Sequence, residues 1–288
     1  MAKAEAQVNS QTGYFSSSVD GLKIFYETWT PPKAKKLLII QHGFGEHSGR
    51  YTYLVDRLVK EGVQIWAINS RGHGKSEGVR GDVDDFQLYC DDLTDFIAIA
   101  RKETGMEKVI LLGHSLGGVI STRFALESGN QDLLESLILS APAFSPILDL
   151  ENQVKKALGQ FLVNFLPSLV IDANLNTKYI STDPQEVKRY KQDELVHGKI
   201  SLRMATAFFE EGAKLFDKAA DLDIPTLFLH GTGDKIADHQ KTIEFYEKVQ
   251  GTEKLFRLYN GLYHELINEA PDQRRLVLDD ISQWISGK

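Results

Sequence analysis

The stretch Lys108-Val109-Ile110-Leu111-Leu112-Gly113-His114-Ser115-Leu116-Gly117-Gly118 places a serine between glycines directly after an apolar run. Helix-forming residues follow over 119–126. This order predicts a strand, a sharp turn and a helix, with Ser115 at the apex in a strained backbone conformation that lifts its hydroxyl above a sheet. Gly113 and Gly117 suit the turn because side chains two positions from the apex would collide with neighbouring backbone. An ordinary glycine-rich turn would explain the glycines but not the serine, so we expect Ser115 to be a nucleophile.

Composition narrows the class of protein. With 288 residues and 42% hydrophobic content, the chain suits one large α/β domain. A formal net charge of −7 provides no general attraction to nucleic acid or to anionic lipid, so no nucleic-acid partner is expected. The single cysteine, Cys90, allows no internal disulfide and predicts a buried or half-buried structural thiol in a reducing, cytoplasmic setting. Residues 1–18 lack the apolar core of a signal peptide, so we expect no export.

Short β-branched runs alternate with longer amphipathic segments along the chain. This alternation indicates an α/β fold with a mostly parallel central sheet flanked by helices. The predicted strands are 22–29, 36–41, 63–68, 109–113, 136–140, 226–230 and 254–259. The predicted helices are 51–61, 86–103, 116–127, 239–249 and 272–285.

The region 145–222 breaks this alternation, because it shows helical patterns without a strand between them. We therefore predict a core formed by 1–144 and 223–288, with 145–222 inserted as a helical cap. The insertion follows one predicted strand and precedes the next, which places it above the carboxyl ends of the sheet, where binding sites form in open α/β folds. A lid over Ser115 is expected.

Apolar residues recur at helical spacing within the insertion. They are Val154, Leu158, Phe161, Leu162, Phe165, Leu166 and Leu169. Phe161, Phe165 and Leu169 are our candidates for substrate contact. The same face could instead pack on the core, contact another copy of the chain, or touch a membrane at its periphery, and the oligomeric state stays open. The apolar stretches are too short to cross a bilayer.

A serine hydroxyl is a weak nucleophile at neutral pH and needs a base and an acid that orients the base. His264 is the best candidate base, because it lies in the loop after the last predicted strand. Asp234 lies just beyond the strand 226–230, at the same end of the sheet. The chain order Ser115, Asp234, His264 is the order expected for such a fold.

Other acids and histidines fit structural roles better. Asp238 precedes a predicted helix and should cap it. His230 ends a strand and should be packed and hydrogen-bonded, while His114 should support the turn at Ser115. His47 and His73 lie in loops with no obvious partner acid. No spacing of the H-E-x-x-H or C-x-x-C type occurs, so we expect neither a metal site nor a cofactor.

Backbone N–H groups should stabilise the negative charge that develops on a substrate carbonyl oxygen. Two donors stand out. Leu116 follows Ser115 directly, and Phe44 lies in the turn His42-Gly43-Phe44-Gly45 after the strand 36–41. Each such donor typically contributes about 3 kcal/mol of transition-state stabilisation.

The chain resembles a known family at several segments besides the one around Ser115. These are His42-Gly43-Phe44-Gly45-Glu46-His47-Ser48-Gly49-Arg50-Tyr51, Arg71-Gly72-His73-Gly74-Lys75-Ser76-Glu77-Gly78, Leu195-Val196-His197-Gly198-Lys199-Ile200-Ser201 and Tyr263-His264-Glu265-Leu266. They are similar to the monoacylglycerol lipase and lysophospholipase branch of the serine α/β-hydrolases, also labelled serine aminopeptidase-like. The resemblance implies an α/β-hydrolase fold, a triad of Ser115, Asp234 and His264, oxyanion donors Phe44 and Leu116, and a mobile lipid-accommodating cap. One departure is Asp193-Glu194, where relatives often have Asp-Pro.

The expected reaction is hydrolysis of a carboxylic ester through an acyl-enzyme, with His264 as the base for Ser115. The apolar cap favours a lipid ester, with monoacylglycerol as the first candidate, followed by lysophospholipid and general carboxylic esters. An aminopeptidase would need cap carboxylates for a free amine, and Glu210-Glu211 is a candidate pair, although a solvated helix face explains it more simply. A non-catalytic ligand-binding protein on this scaffold is the remaining alternative, but such proteins usually lose a triad member.

Overall fold

A computed structural model describes residues 9–147 and 162–288. Ten strands lie in these residues: β1 (Asn9–Ser16), β2 (Lys23–Thr30), β3 (Lys36–Gln41), β4 (Val63–Ile68), β5 (Val109–His114), β6 (Leu134–Ser140), β7 (Val170–Asp172), β8 (Lys199–Ser201), β9 (Thr226–Gly231) and β10 (Lys254–Tyr259). The helices of the same residues are α1 (Thr52–Leu58), α2 (Gln87–Thr104), α3 (Leu116–Leu126), α4 (Pro184–Gln192), α5 (Leu202–Asp217), α6 (His239–Lys248) and α7 (Pro271–Ser286).

Eight of the strands form one sheet in the order β1-β2-β4-β3-β5-β6-β9-β10. β1 pairs antiparallel with β2, and β2 pairs antiparallel with β4, whereas the other neighbours are parallel. Parallel neighbours need crossover connections, and helices supply most of them. The predicted α/β fold with a mostly parallel sheet is therefore confirmed, including all seven predicted strands.

β1 was not predicted, because its sequence reads as a polar chain start. Six of its eight residues are exposed, and Phe15 is its one buried side chain. The strand lies at the edge of the sheet and pairs only with β2. An exposed edge strand needs no apolar face, so its sequence carries little pattern.

The central strands are buried on both faces. In β3, Leu37 and Ile39 belong to one core cluster, and Leu38 and Ile40 belong to another. Successive side chains of a strand point to opposite faces, so the two clusters fill the two sides of the sheet. α2 and α3 cover the first side, and α1 and α7 cover the second. This double burial accounts for the nearly continuous apolar runs in the sequence.

The registers bring the carboxyl ends of the parallel strands to one edge of the sheet. Gln41 at the end of β3 pairs with Gly113, and His114 at the end of β5 pairs with Ser140 at the end of β6. Tyr259 at the end of β10 pairs with Gly231 at the end of β9. The loops that follow these five strands therefore start side by side.

The chain between β6 and β9 contains α4, α5 and a separate two-stranded antiparallel sheet of β7 and β8. The expectation that this region holds no strand was wrong. Each of the two strands is only three residues long, which is too short to produce a periodic signal. The exact limits of the cap, 145 and 222, stay a prediction. Within the described ranges, no helix has the length and apolar character required to cross a membrane.

Two leucines of α7 allow a matched test of the packing in the core cluster that contains Leu38 and Ile40. Leu278 is 8% exposed in that cluster, whereas Leu276, on the same helix, is 56% exposed. We expect Leu278→Ala to lower the free energy of unfolding by about 3 kcal/mol, because it removes buried methylenes and leaves a cavity. Leu276→Ala should change it by less than about 0.5 kcal/mol. Urea denaturation of both variants measures the difference, and equal effects would contradict the packing.

Candidate active site

Ser115 lies at the tight turn between β5 and α3. Its backbone dihedrals are φ 53° and ψ −118°, a conformation that L residues rarely adopt. The Ser115 N–H donates to the carbonyl of Ser140 at 3.1 Å, and the Ser115 carbonyl accepts from the N–H of Ala143 at 3.1 Å. A Cβ at Gly117 would lie 2.2 Å from the carbonyl oxygen of Gln41, so only glycine lets α3 approach β3 this closely.

The structure brings Asp234 and His264 together, from the loops that follow β9 and β10. The Nδ1 atom of His264 lies 2.7 Å from Oδ2 of Asp234. The other carboxylate oxygen, Oδ1, accepts the backbone N–H groups of Ile236 at 2.7 Å and Ala237 at 3.0 Å. Because a carboxylate can only accept, Nδ1 of His264 carries the proton, and Nε2 is the basic nitrogen of the neutral ring.

Both groups have shifted pKa values. Burial opposes the charged form of Asp234, but the charge of His264 and hydrogen bonds from His230 and His264 outweigh it, so the pKa of Asp234 is held well below its usual range. Burial also opposes protonation of His264, but Asp234, with added contributions from Glu265 and Glu46, raises its pKa. The surroundings therefore stabilise an imidazolium at position 264.

The histidine beside the serine has a different environment. The ring centroids of His114 and His264 lie 4.8 Å apart, and Nδ1 of His114 lies 3.0 Å from the carbonyl oxygen of Ser140. Burial, and to a lesser extent the charge of His264, lowers the pKa of His114 to about 3. His114 is thus a neutral ring that ties the turn to β6, which agrees with the supporting role expected for it.

Ser115 and His264 line the same cavity, which has a volume of about 450 Å³. The loop after β3 lies close to Ser115, since a Cβ at Gly43 would come within 3.0 Å of the Ser115 Cβ. Phe44 also lines this cavity, and Leu116 is the first residue of α3. The first N–H groups of a helix have no partner within it, so the Leu116 N–H is one of those that can donate to an external oxygen.

A buried charged network beside the cavity was missed by the sequence prediction. Arg50 binds the carboxylate of Glu265 and lies 3.6 Å from Glu46. Glu46 Oε1 accepts the Gly43 N–H at 2.6 Å and the Tyr51 hydroxyl at 2.9 Å. Burial, reinforced by the charge of Glu265, raises the pKa of Glu46. The i,i+4 spacing of Glu46 and Arg50 was a sequence signal for an ion pair between them. No such signal existed for Glu265, because it is far from Arg50 in sequence and only the fold brings the two together.

The segment 193–201 of the insertion contacts the turn that carries Phe44. The His197 N–H donates to the carbonyl of Gly45 at 2.9 Å, and the Phe44 ring meets the His197 ring edge-on with centroids 5.9 Å apart. His47 Nε2 lies 2.9 Å from Oδ2 of Asp193. The expectation that His47 has no partner acid was therefore wrong, because the partner is 146 residues away in sequence.

The remaining predicted residues separate into three groups. Asp238 caps α6 by accepting the Gln240 N–H at 2.9 Å, as predicted. Phe161 lies outside the described residues. Phe165 is 70% exposed and Leu169 is 43% exposed, and neither lines the cavity at Ser115. Their role in substrate binding stays a prediction. Other residues of the insertion, Ile171 and Phe208 among them, line the cavity instead.

The eight-stranded, mostly parallel sheet with a serine turn after β5 defines an α/β-hydrolase. A sequence model described as serine aminopeptidase, S33 matches residues 32–271. The chain belongs to this family.

Relatives with names that state an activity cover nearly the whole chain. A monoacylglycerol lipase of Mycolicibacterium smegmatis is 33% identical, over 93% of this chain and 95% of its own length. The crystal structure of a Paleococcus ferrophilus monoacylglycerol lipase has a TM-score of 0.79 at 28% identity and covers 96% of this chain and 98% of its own. A soluble variant of the Saccharomyces cerevisiae monoglyceride lipase has a TM-score of 0.86 at 24% identity, covering 98% and 96%, and shows likeness of fold. By family, fold and relatives, the protein is a carboxylic-ester hydrolase.

The contact between the insertion and the Phe44 turn can be tested at Gly45. Gly45 has φ +72°, and a Cβ there would lie 2.2 Å from the carbonyl oxygen of His197. Gly21 has φ +76° with open space around it, so it is a control for backbone strain alone. We expect Gly21→Ala to cost about 1 kcal/mol of unfolding free energy, and Gly45→Ala to cost at least about 2 kcal/mol more.

Urea denaturation of the two variants measures these costs, and limited proteolysis of the folded proteins reports on the segment 193–201. Gly45→Ala should make this segment more susceptible to cleavage, whereas Gly21→Ala should not. If both variants lost the same unfolding free energy and were cleaved equally, the close approach of Gly45 to His197 would not contribute to stability.

Proposed function

We propose that the protein hydrolyses monoacylglycerols, with Ser115 as nucleophile, His264 as base and Asp234 as the acid that orients His264. The observation that carries the proposal is that a strained serine and a histidine hydrogen-bonded to a buried carboxylate line one cavity. Each of the three side chains comes from a loop at the carboxyl edge of the sheet. This is the arrangement needed to make a serine hydroxyl reactive.

In the first step, Nε2 of His264 takes the proton of Ser115 as its oxygen attacks the ester carbonyl. The imidazolium that forms is stabilised by Asp234, whose pKa lies well below its usual range, so that it stays ionised. The same proton is then given to the departing alcohol, which leaves an acyl group on Ser115. Water then attacks the acyl carbon while His264 takes its proton, and His264 returns that proton to the Ser115 oxygen as the acyl–oxygen bond breaks and the fatty acid leaves.

The backbone N–H groups of Leu116 and Phe44 are the proposed oxyanion donors. The first position of α3 supplies Leu116, and the partial positive charge of the helix N-terminus adds to its effect. Two observations support Phe44 as the second donor. Its turn lies against Ser115, and Glu46 fixes that turn by accepting a hydrogen bond from the preceding Gly43 N–H. Neither donor depends on the side chain that carries it.

The polar wall of the cavity supports a glycerol headgroup over a phosphate headgroup. Glu46, Glu265 and Tyr190 line the cavity that contains Ser115. Carboxylates accept hydrogen bonds from hydroxyl groups, and a monoacylglycerol offers two free hydroxyls. Arg50 does not line the cavity, and it is held by Glu265 and Glu46. The described lining holds one lysine, Lys235, against four acidic residues, Glu46, Asp172, Glu210 and Glu265, so a phosphate would meet an excess of negative charge, which disfavours lysophospholipids.

The insertion supplies an apolar wall suited to an acyl chain. Ile171, Leu175, Leu202, Phe208 and Phe209, all from the insertion, are among the residues that line the cavity. Burial of methylenes stabilises a bound chain by about 0.8 kcal/mol for each CH₂ group. The cavity therefore offers apolar residues for an acyl chain and the carboxylates of Glu46 and Glu265 for hydroxyl groups, which suits the two ends of a lipid monoester.

An aminopeptidase reaction gains no support from the predicted pair of carboxylates. Glu210 lines the cavity, but Glu211 does not and lies in ion pairs with Arg123 at 2.7 Å and Lys214 at 2.9 Å. The two carboxylates therefore do not face the cavity together, and the amine they share is that of Lys214, 3.8 Å from Glu210 and 2.9 Å from Glu211. We propose ester rather than peptide substrates for this reason.

Replacement of Ser115 by alanine tests the nucleophile. We expect Ser115→Ala to lose fluorophosphonate labelling and to reduce ester hydrolysis at least about a thousandfold, because the acyl-enzyme can no longer form. Ser128→Ala, at an exposed serine, should label and turn over as the wild type does. Labelling by mass spectrometry and turnover of a short-chain ester are the measurements. Specific labelling of a folded Ser115→Ala protein would refute the assignment.

The headgroup can be tested with monoacylglycerols, lysophospholipids and aminoacyl amides of matched chain length. We expect kcat/KM for monoacylglycerols to exceed that for lysophospholipids by a factor of about ten or more, because the phosphate lies against carboxylates. Glu46→Gln, which keeps an oxygen for the Gly43 N–H, should narrow this gap. Equal rates for both lipids would contradict the headgroup assignment, and a preference for the amides would overturn the lipase proposal.

A further inference from the structure

His230 is the last histidine before Asp234 and lies at the end of β9. It is fully buried and lies outside the lining of the cavity. Its Nε2 atom lies 3.0 Å from Oδ2 of Asp234, the same oxygen that receives Nδ1 of His264 at 2.7 Å. Its Nδ1 atom lies 2.9 Å from the hydroxyl oxygen of Thr242 on α6.

The partners of His230 fix its tautomer. A carboxylate has no proton to donate, so Nε2 of His230 carries the proton and donates it to Asp234. Burial lowers the pKa of His230, so the ring is neutral and its Nδ1 accepts the hydroxyl proton of Thr242. A chain of donors therefore runs from Thr242 through His230 to Asp234.

This chain completes the hydrogen bonding of the Asp234 carboxylate. Oδ1 accepts two backbone N–H groups, and Oδ2 accepts two ring N–H groups. Four donors occupy about all the lone-pair directions of a carboxylate, so its plane and rotation are fixed. Of the four, only His230 combines a side chain that can be replaced with a position outside the proposed triad.

We propose that His230 is a positioning residue for ester hydrolysis: it fixes Oδ2 of Asp234 against His264 and withdraws negative charge from that oxygen. It thereby limits how strongly Asp234 holds the protonated form of His264. The proposal rests on the proposed triad. His230 acts through Asp234 and contacts neither substrate nor Ser115.

The direction of the effect follows from which form of His264 is active. His264 must be neutral to accept the proton of Ser115, so activity falls as the pH drops through its pKa. Without the His230 donor, Oδ2 of Asp234 carries more negative charge and stabilises the imidazolium more strongly. Loss of the donor should therefore move the acid limb of the pH profile upward.

Other titratable and charged groups surround the two rings. Around His264 they are Asp234, Glu46, Glu265 and His114. Around His230 they are Asp234, His264 and, with ring centroids 6.2 Å apart, His239. A substitution at position 230 replaces none of these groups, and Asp234 is the one among them that hydrogen-bonds to His230. A shift of the profile therefore reports the contact with Asp234.

Methionine and glutamine form a matched pair at position 230. Both are unbranched and of similar length, but only glutamine has an N–H donor for Asp234 and an oxygen for the Thr242 hydroxyl. We expect His230→Met to raise the pH of half-maximal kcat/KM by about half a unit or more. It should also lower kcat per active site about tenfold with little change in KM, as is typical for lost orienting contacts. His230→Gln should restore both values to within about twofold of wild type.

The measurements are kcat/KM against pH for a water-soluble ester, with active sites counted by fluorophosphonate titration. A purely structural His230 would lower the melting temperature and the active fraction, but would leave kcat per site and the pH profile unchanged. That result for His230→Met, or a His230→Gln variant that behaves like it, would overturn the proposal.

Thr242→Val provides a second route if the methionine variant does not fold. It removes the hydroxyl that fixes the tautomer of His230, so we expect a smaller upward shift of the acid limb. An unchanged profile in Thr242→Val would then overturn the proposal. Failure of the triad itself is distinguishable, because His264→Ala and Ser115→Ala would then retain activity, whereas failure for His230 alone leaves those variants inactive.

Discussion

The conformation of Ser115 is the constraint on which the remaining structure depends. A non-glycine residue with φ 53° costs of order 1–3 kcal/mol and persists only when its surroundings hold it. Ser140 and Ala143 fix its two peptide groups through backbone hydrogen bonds. Gly117 allows α3 to lie directly on the end of β3. The strained turn is therefore a product of sheet register and helix packing, and both core clusters contribute to its stability.

Charge around this turn is buried but paired. Asp234 has donors on both oxygens, and Arg50 lies between Glu46 and Glu265. An isolated ionised side chain in this environment would cost several kcal/mol, so each one has to be accompanied by partners. The result is a group of paired polar side chains at the carboxyl edge of the sheet, of which Glu46, Glu265 and His264 line the same cavity as apolar residues of the insertion. Lipid hydrolysis needs both environments within a few ångströms, one for proton transfer and one for the acyl chain.

Much of the fold could be predicted from sequence because the central strands are buried on both faces and give strong apolar runs. The turn at Ser115 and the positions of Asp234 and His264 followed from chain order and strand ends. The edge strand β1 gave no usable period because it buries a single side chain, and β7 and β8 gave none because each is only three residues long. Long-range contacts were equally hidden: the pairing of His47 with Asp193 depends on the fold, and no local pattern encodes it.

The contacts of segment 193–201 with the core limit where a cap can be exchanged between related enzymes. In sequence it belongs to the insertion, yet its His197 N–H holds Gly45, and its Ser201 N–H donates to the carbonyl of Gly81 at 2.9 Å. A Cβ at Gly81 would lie 1.7 Å from the Lys199 carbonyl oxygen, so the backbone of the core and the backbone of the segment pack together without room for a side chain at position 81. A chimera that replaces the whole insertion would remove a support of the Phe44 turn. The junction for a graft therefore belongs before residue 193, so that 193–201 stays with its own core.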